Sequence, residues 1–213
     1  MSQTGSHGLR GRTLRSFLLL GFQRVGSVLV TAAGGIVLAR LLSPEVFGLY
    51  AVLVFAVGFG VVLGDLGLGA ALVQRRELDP AASLGAAFAF NLALATALAL
   101  AIAGGAPLLA RSLSVTIDVT APLRCLALLV VLAALRMPAA VLLERRLAYL
   151  PLAIAETADT VAFYTVAVAA AFAGAGLWSF VLGAVAARTA NLAVLWSATG
   201  WPARPRADWR ELA

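Results

Sequence analysis

Apolar runs of about 20 residues follow one another along nearly the whole chain with short polar breaks, and that succession most narrows the folds open to it. At about 1.5 Å per helical residue, each run crosses the roughly 30 Å of hydrocarbon in a bilayer. Six helices are expected, near residues 16–39, 47–64, 83–109, 122–143, 151–173 and 177–198. A membrane β-barrel needs short strands of alternating hydrophobicity with frequent turns, and the long Ala and Leu runs do not alternate. With 62% hydrophobic and 12% charged residues and a mean hydropathy of +0.98, the chain has too few polar groups to cover a water-soluble core. The expected fold class is an all-α integral membrane protein whose outer solvent is lipid.

The net charge of +6 and the pI near 11.0 do not point to nucleic acid. The basic residues, all arginine, stand in ones, twos and threes between apolar runs and form no basic face. Cys125 is the single cysteine and lies in an apolar run, so no disulfide forms within the chain and a buried, inert thiol is expected. His7 falls in the polar N-terminal stretch, which leaves no His and Cys set for a metal; no cofactor is expected. The basic start "MSQTGSHGLRGRTLRSF" resembles a signal peptide, but the apolar stretch continues to Leu42 without a convincing small-residue cleavage site, so an uncleaved first span is expected.

Arginine placement sets the expected orientation. Arg10, Arg12 and Arg15 precede the first span, Arg75 and Arg76 follow the second, Arg145 and Arg146 follow the fourth, and Arg204, Arg206 and Arg210 follow the sixth. The opposite side has Arg40 and Arg111, with Arg124 just inside the fourth span. Both termini are therefore expected in the cytoplasm, with residues 1–15 a tail, 16–199 a six-helix bundle and 200–213 a basic cytoplasmic linker. "LVQRREL" at 72–78 and "LLERRLA" at 142–148 read as interface anchors at cytoplasmic helix ends. In "RLLSPEVFG", Ser43 is placed to cap the second helix, Pro44 suits its first turn, and Glu45 meets the positive end of the macrodipole. "AGAG" at 173–176 reads as a tight hairpin.

Charged and amide groups inside the spans need an explanation. A mid-span arginine costs about 2.5 to 3.5 kcal/mol on insertion scales, so such groups face protein or water, pair with one another, or mark a functional pathway. Arg24 shares its helix face with Ser27, Thr31, Gly34 and Gly35, a small and polar stripe. Asn91 lies in the third span, Arg136 in the fourth, Glu156 and Asp159 in the fifth, and Arg188 and Asn191 in the sixth. Two readings stand side by side. In one, Glu156 and Asp159 neutralise Arg24 and Arg136 in structural ion pairs while shallow arginines snorkel to the interface. In the other, Arg24, Arg136 and Arg188 line an aqueous cavity with Asn91 and Asn191, and their surplus positive charge suits a phosphate or pyrophosphate. Glu156 and Asp159 then serve in ion pairing or in proton or ion coupling. The many Gly and Ala residues let helices pack closely, and the same positions permit sliding in alternating access.

Two stretches carry a family resemblance. "ARLLSPEVFGLYAVLVFAVGFGVVLGDLGLGAALVQRREL" at 39–78, together with "AAVLLERRLAYLPLAIAE" and "GAGLWSFVLGAVAARTANLAVLW" further on, resembles the polysaccharide transporter (Wzx-type flippase) branch of the multidrug/oligosaccharidyl-lipid/polysaccharide exporter superfamily. The resemblance implies one six-helix lobe of a MATE-like fold, which in relatives pairs with a second lobe around a central cationic cavity. It also implies flipping of undecaprenyl-pyrophosphate-linked oligosaccharide across a bacterial inner membrane for surface polysaccharide or lipopolysaccharide (O-antigen) synthesis, with no enzymatic step. Arg24 is placed where relatives can carry a cavity arginine, whereas Ser43 to Gly48 and Asp65 to Arg75 read as cap, turn and anchor. The expected partners are the bilayer, the lipid-linked oligosaccharide, and a second lobe or another copy of the chain. A multidrug or small-solute exporter of the same fold and a non-transporting structural or assembly protein are the alternatives. A membrane glycosyltransferase is disfavoured, because no loop carries a clustered acid or metal motif.

Overall fold

The computed structural model describes residues 6–65, 80–113 and 117–200. Six long helices account for nearly all of them: α1 (Ser6–Leu41), α2 (Pro44–Asp65), α3 (Pro80–Leu113), α4 (Thr120–Arg145), α5 (Tyr149–Phe172) and α6 (Leu177–Thr199). Each contains a stretch long and apolar enough to cross a membrane, and the described residues contain no strand. The chain is a multi-pass, all-helical membrane protein. Helix α1 begins at Ser6, within the stretch expected to be a tail, and α3 extends past both ends of its expected span. Hydrocarbon thickness limits the apolar run, whereas backbone hydrogen bonds carry a helix on into the interface. "LVQRREL" lies outside the described residues, as do the residues that follow Gly200.

Short connectors reverse the chain. Ser43 precedes α2 with its carbonyl accepting from the Val46 and Phe47 N–H groups at 3.1 and 3.4 Å, Pro44 is the first helical residue, and Glu45 is in the first turn. Helices α4 and α5 both end in a Schellman arrangement. The Ala148 N–H donates to the Leu143 carbonyl and the Leu147 N–H to Glu144; the Ala175 N–H donates to Ala170 and the Gly174 N–H to Ala171. The left-handed position is Leu147 in the first (φ 53°) and Gly174 in the second (φ 77°).

Helix α4 is the centre of the bundle and touches α2, α3, α5 and α6. Its buried residues form a broad stripe, with Leu128 exposed on the other side. Helix α2 instead buries one stripe, Val46, Leu49, Leu53, Val57, Gly60 and Gly64, while Phe55, Phe59 and Val62 face outward. Helices α5 and α6 form the closest pair: a Cβ placed on Gly183 falls 2.9 Å from the Phe163 carbonyl oxygen and 2.9 Å from the Ala167 methyl. Only a residue without a side chain fits that approach. Helix α1 packs chiefly on α5, where Gly34 meets the ring of Tyr164.

The main core occupies the end of the bundle where α1 stops and α2 and α6 begin. Leu38, Leu49, Leu53, Leu123, Leu126 and Val181 pack there. Phe180 stacks on Tyr50 (centroids 4.5 Å apart, planes at 12°) and meets Phe47 edge-on at 4.9 Å. Toward the opposite end the packing divides into two small clusters, Ala87, Met137 and Val141 between α3 and α4, and Ala139, Leu143, Ala155 and Leu195 among α4, α5 and α6. Between them the bundle is not filled.

Candidate functional site

The unfilled space is a cavity of about 740 Å³ between α2, α3, α4 and α6. Its walls run from Asp65 and Glu144, in the last described turns of α2 and α4, to Val54 and Leu129 near the middle of those helices. Valines and alanines are the commonest residues in the wall. Between Asp65 and Glu144 at that end and the middle of the bundle, Arg136, Arg188, Asn91 and Asn191 supply polar groups on three separate helices.

Helix α5 stands behind that wall and holds the two arginines in place. Arg136 Nη2 donates to Glu156 Oε1 at 2.8 Å, and its Nε donates to Asn191 Oδ1 at 3.1 Å. Arg188 Nη1 donates to Asp159 Oδ1 at 3.2 Å. Glu156 and Asp159 are three residues apart on α5, so one helix face presents both carboxylates to arginines on α4 and α6. Pairing offsets the cost of an arginine at membrane depth, and the planar guanidinium lets Arg136 serve two acceptors at once. Near Arg136, α4 is also braced by Trp196, whose indole N–H donates to the Leu135 carbonyl at 3.2 Å. Pro138 is part of the same turn and lacks the N–H that would bond the Ala134 carbonyl, so the α4 backbone is short of a donor there.

Asn91 and Asn191 are 3% and 1% exposed. Asn91 Nδ2 donates to the Gly64 carbonyl of α2 at 2.9 Å, and Asn191 Oδ1 accepts from Arg136. The remaining atom of each amide, Asn91 Oδ1 and Asn191 Nδ2, is buried with no hydrogen-bond partner among the described residues. Such atoms are uncommon because each costs about 1–3 kcal/mol when left unmet.

Arg24 stands apart from this constellation. It is exposed on α1, is not among the residues lining the cavity, and makes no ion pair among the described residues. The pairing also differs from the one read from sequence: Asp159 holds Arg188, not Arg24, because α5 and α6 form the tightest helix pair and carry Arg188 to that carboxylate. Of the small stripe on α1, Ser27 and Gly34 are half-buried, while Thr31 shares the exposed face of Arg24. Two lining residues, Asp65 and Glu144, were absent from the sequence-derived candidates. Their place at span ends reads as ordinary interface chemistry, and their neighbours one turn away, Val61 and Val62 for Asp65 and Ala140 and Val141 for Glu144, gave no signal.

The lining also includes two carboxylates, Asp65 and Glu144, while its two arginines are already paired with carboxylates of α5. Among the described residues, no group of three or more His, Cys, Asp or Glu is placed to hold a metal ion. A family model described as polysaccharide biosynthesis protein matches residues 37–213. The chain belongs to that family. The match covers the "RLLSPEVFG" and "DLGLGAALVQR" motifs and every cavity-lining residue, and it ties the chain to polysaccharide synthesis and transport. No curated protein and no solved structure matches the chain.

Proposed function

We propose that this protein takes part in the translocation of undecaprenyl-pyrophosphate-linked oligosaccharide across a bacterial inner membrane, for surface polysaccharide or lipopolysaccharide synthesis. It acts by alternating access, without a covalent step. The observation that carries this reading is a polar cavity inside a six-helix membrane bundle of the polysaccharide biosynthesis family, with two ion-paired arginines and two buried asparagines in its wall. Intramembrane ionisable groups are kept where function needs them.

The second support is the outer side of the ion pairs. Glu156 lies about 10 Å along α5 at about 1.5 Å per residue, yet its side chain is 59% exposed. A carboxylate at that depth requires water or protein around it. In this reading a second lobe or another copy of the chain covers that face, and the exposed Arg24 contributes to the surface between them. Both termini are on the cytoplasmic side, so the cavity mouth at Asp65 and Glu144 opens to the cytoplasm, where lipid-linked sugars are assembled.

The test is transport by the full chain, with whatever partner co-purifies, reconstituted in vesicles that carry a fluorescent lipid-linked disaccharide. Arg136→Ala and Arg188→Ala should each lower the translocation rate at least tenfold, equivalent to a loss of about 1.4 kcal/mol or more. Unchanged rates in both variants, with the protein still monodisperse, would remove the arginine wall from the transport path. An exporter of small organic cations is the competing reading that Asp65 and Glu144 favour, since carboxylates at the mouth attract cations. It predicts saturable binding of an organic cation and none of the lipid pyrophosphate.

A further inference from the structure

Arg124 is a charged residue that the cavity does not use. It is exposed near the start of α4, and its Nε donates to the backbone carbonyl of Ala103 on α3 at 3.3 Å. That carbonyl is a particular one. In an unbroken helix it accepts from the N–H four residues on, which here belongs to Pro107, a residue without that N–H and with a ring that pushes the carbonyl aside. A proline inside a membrane is tolerated where a neighbouring helix meets the carbonyl it frees, and Arg124 supplies the missing donor. Between Ala103 and the proline lie Gly104 and Gly105, both exposed, and a Cβ on either has nothing within 4 Å. Adjacent glycines beside a proline are where a helix bends, and nothing packs close enough here to fix the angle.

The parts of α3 on either side of this break do different things. Beyond it, Ala106, Leu109, Ala110 and Leu113 pack in or against the main core. Before it, α3 runs down to the cavity, where Asn91 and Ala95 are its share of the wall and Ala87 belongs to one of the small clusters. Asn91 precedes Ala103 by about 18 Å of helix at about 1.5 Å per residue, so a change of roughly 10° in the bend displaces it by about 3 Å. We propose that Gly104 to Pro107 is a hinge in α3 and that Arg124 is the positioning residue that sets its angle. The width of the cavity between α2 and α3 then follows one hydrogen bond on another helix, and the Asn91 donation to the Gly64 carbonyl is the contact that breaks when α3 swings. The hinge belongs to the chain whatever the cavity carries, so it stands or falls separately from the transport reading.

Double electron–electron resonance on the full chain in lipid nanodiscs, in a Cys125→Ser background, tests this. Spin labels at Phe90→Cys, on the cavity side of the hinge, and at Leu150→Cys on α5 report the swinging part. Labels at Leu108→Cys, beyond the hinge, and Phe172→Cys are the control, and all four positions are exposed. Arg124→Leu should shift or broaden the first distance by about 3 Å, from the lever arm above, and leave the second unchanged. Pro107→Ala returns the N–H to α3, so the Pro107→Ala/Arg124→Leu protein should regain the parent distribution. An arginine that only anchors α4 at the interface would not be rescued by an alanine on another helix. An unchanged first distance in Arg124→Leu, a change in both distances, or no rescue by Pro107→Ala overturns the hinge. If Arg124→Leu does not fold, the double variant should, because its α3 ladder is complete; a double variant that also fails to fold overturns the proposal.

Discussion

Leu147 and Gly174 occupy equivalent positions at the ends of consecutive helices, and only the glycine suits its backbone. A left-handed conformation brings a Cβ too close to the following carbonyl oxygen, at a cost of roughly 1–2 kcal/mol, and glycine avoids it. Leu147 is exposed at φ 53°, so little packing offsets that strain. Leu147→Gly should raise stability by about 1 kcal/mol and Gly174→Ala should lower it by a similar amount, read from thermal unfolding in one detergent. A less stable Leu147→Gly protein would mean that the leucine side chain anchors the helix end in the interface. The ion pairs allow a second test, because stability and transport should respond differently. Glu156→Leu leaves Arg136 without its carboxylate at membrane depth and should cost about 2–3 kcal/mol. Adding Arg136→Met should restore most of that stability, since apolar pairs commonly replace ion pairs at no net loss. Transport should fall in the single variant and stay lost in the double. Which acid meets which arginine was not legible from the chain alone. The charges were visible one by one, but the pairing of Asp159 with Arg188 depends on which helices are neighbours.

The six elements themselves were legible, because an apolar run of membrane length has few other uses. Their ends were less so: α1 and α3 continue beyond the hydrocarbon stretch that marks them. Glycines in the spans divide into two kinds that sequence does not separate. A side chain on Gly183 meets the backbone of α5 at Phe163, whereas Gly58 lines the cavity with nothing within 4 Å of an added Cβ. Gly183→Val should therefore push α5 and α6 apart and cost about 1–3 kcal/mol. Gly58→Val should leave the unfolding temperature almost unchanged, since valine in place of glycine fills space that is empty. Its effect should appear in transport instead, as a partly blocked cavity. A Gly58→Val protein as unstable as Gly183→Val would show that α2 moves against α3 or α4 more closely than in this arrangement.

At the scale of the whole molecule, the bundle is filled at one end and hollow toward the other. Aromatic rings and leucines close it where α2 and α6 begin, and the cavity occupies the half that ends in Asp65 and Glu144. That asymmetry follows from the side chains available. Large residues such as Phe47, Tyr50 and Phe180 crowd the first end, while alanines on α4, including Ala133 and Ala140, line the second. Sequence showed the alanines but not the hollow, since small residues let helices close up as readily as they leave space. Water decides between these outcomes, because a cavity with four charged residues in its wall should be wet. The single Cys125 makes this measurable in a Cys125→Ser background. Ala140→Cys, in the cavity wall, should react with a charged, membrane-impermeant thiol reagent, whereas Leu128→Cys, exposed on the apolar outer surface of α4, should not. On the proposed orientation, with both termini in the cytoplasm, Ala140→Cys should be modified in inside-out vesicles and protected in intact cells. Reaction from the outer side alone would reverse the assigned orientation, and no reaction from either side would mean that the cavity is dry and the polar wall serves only to hold the helices together.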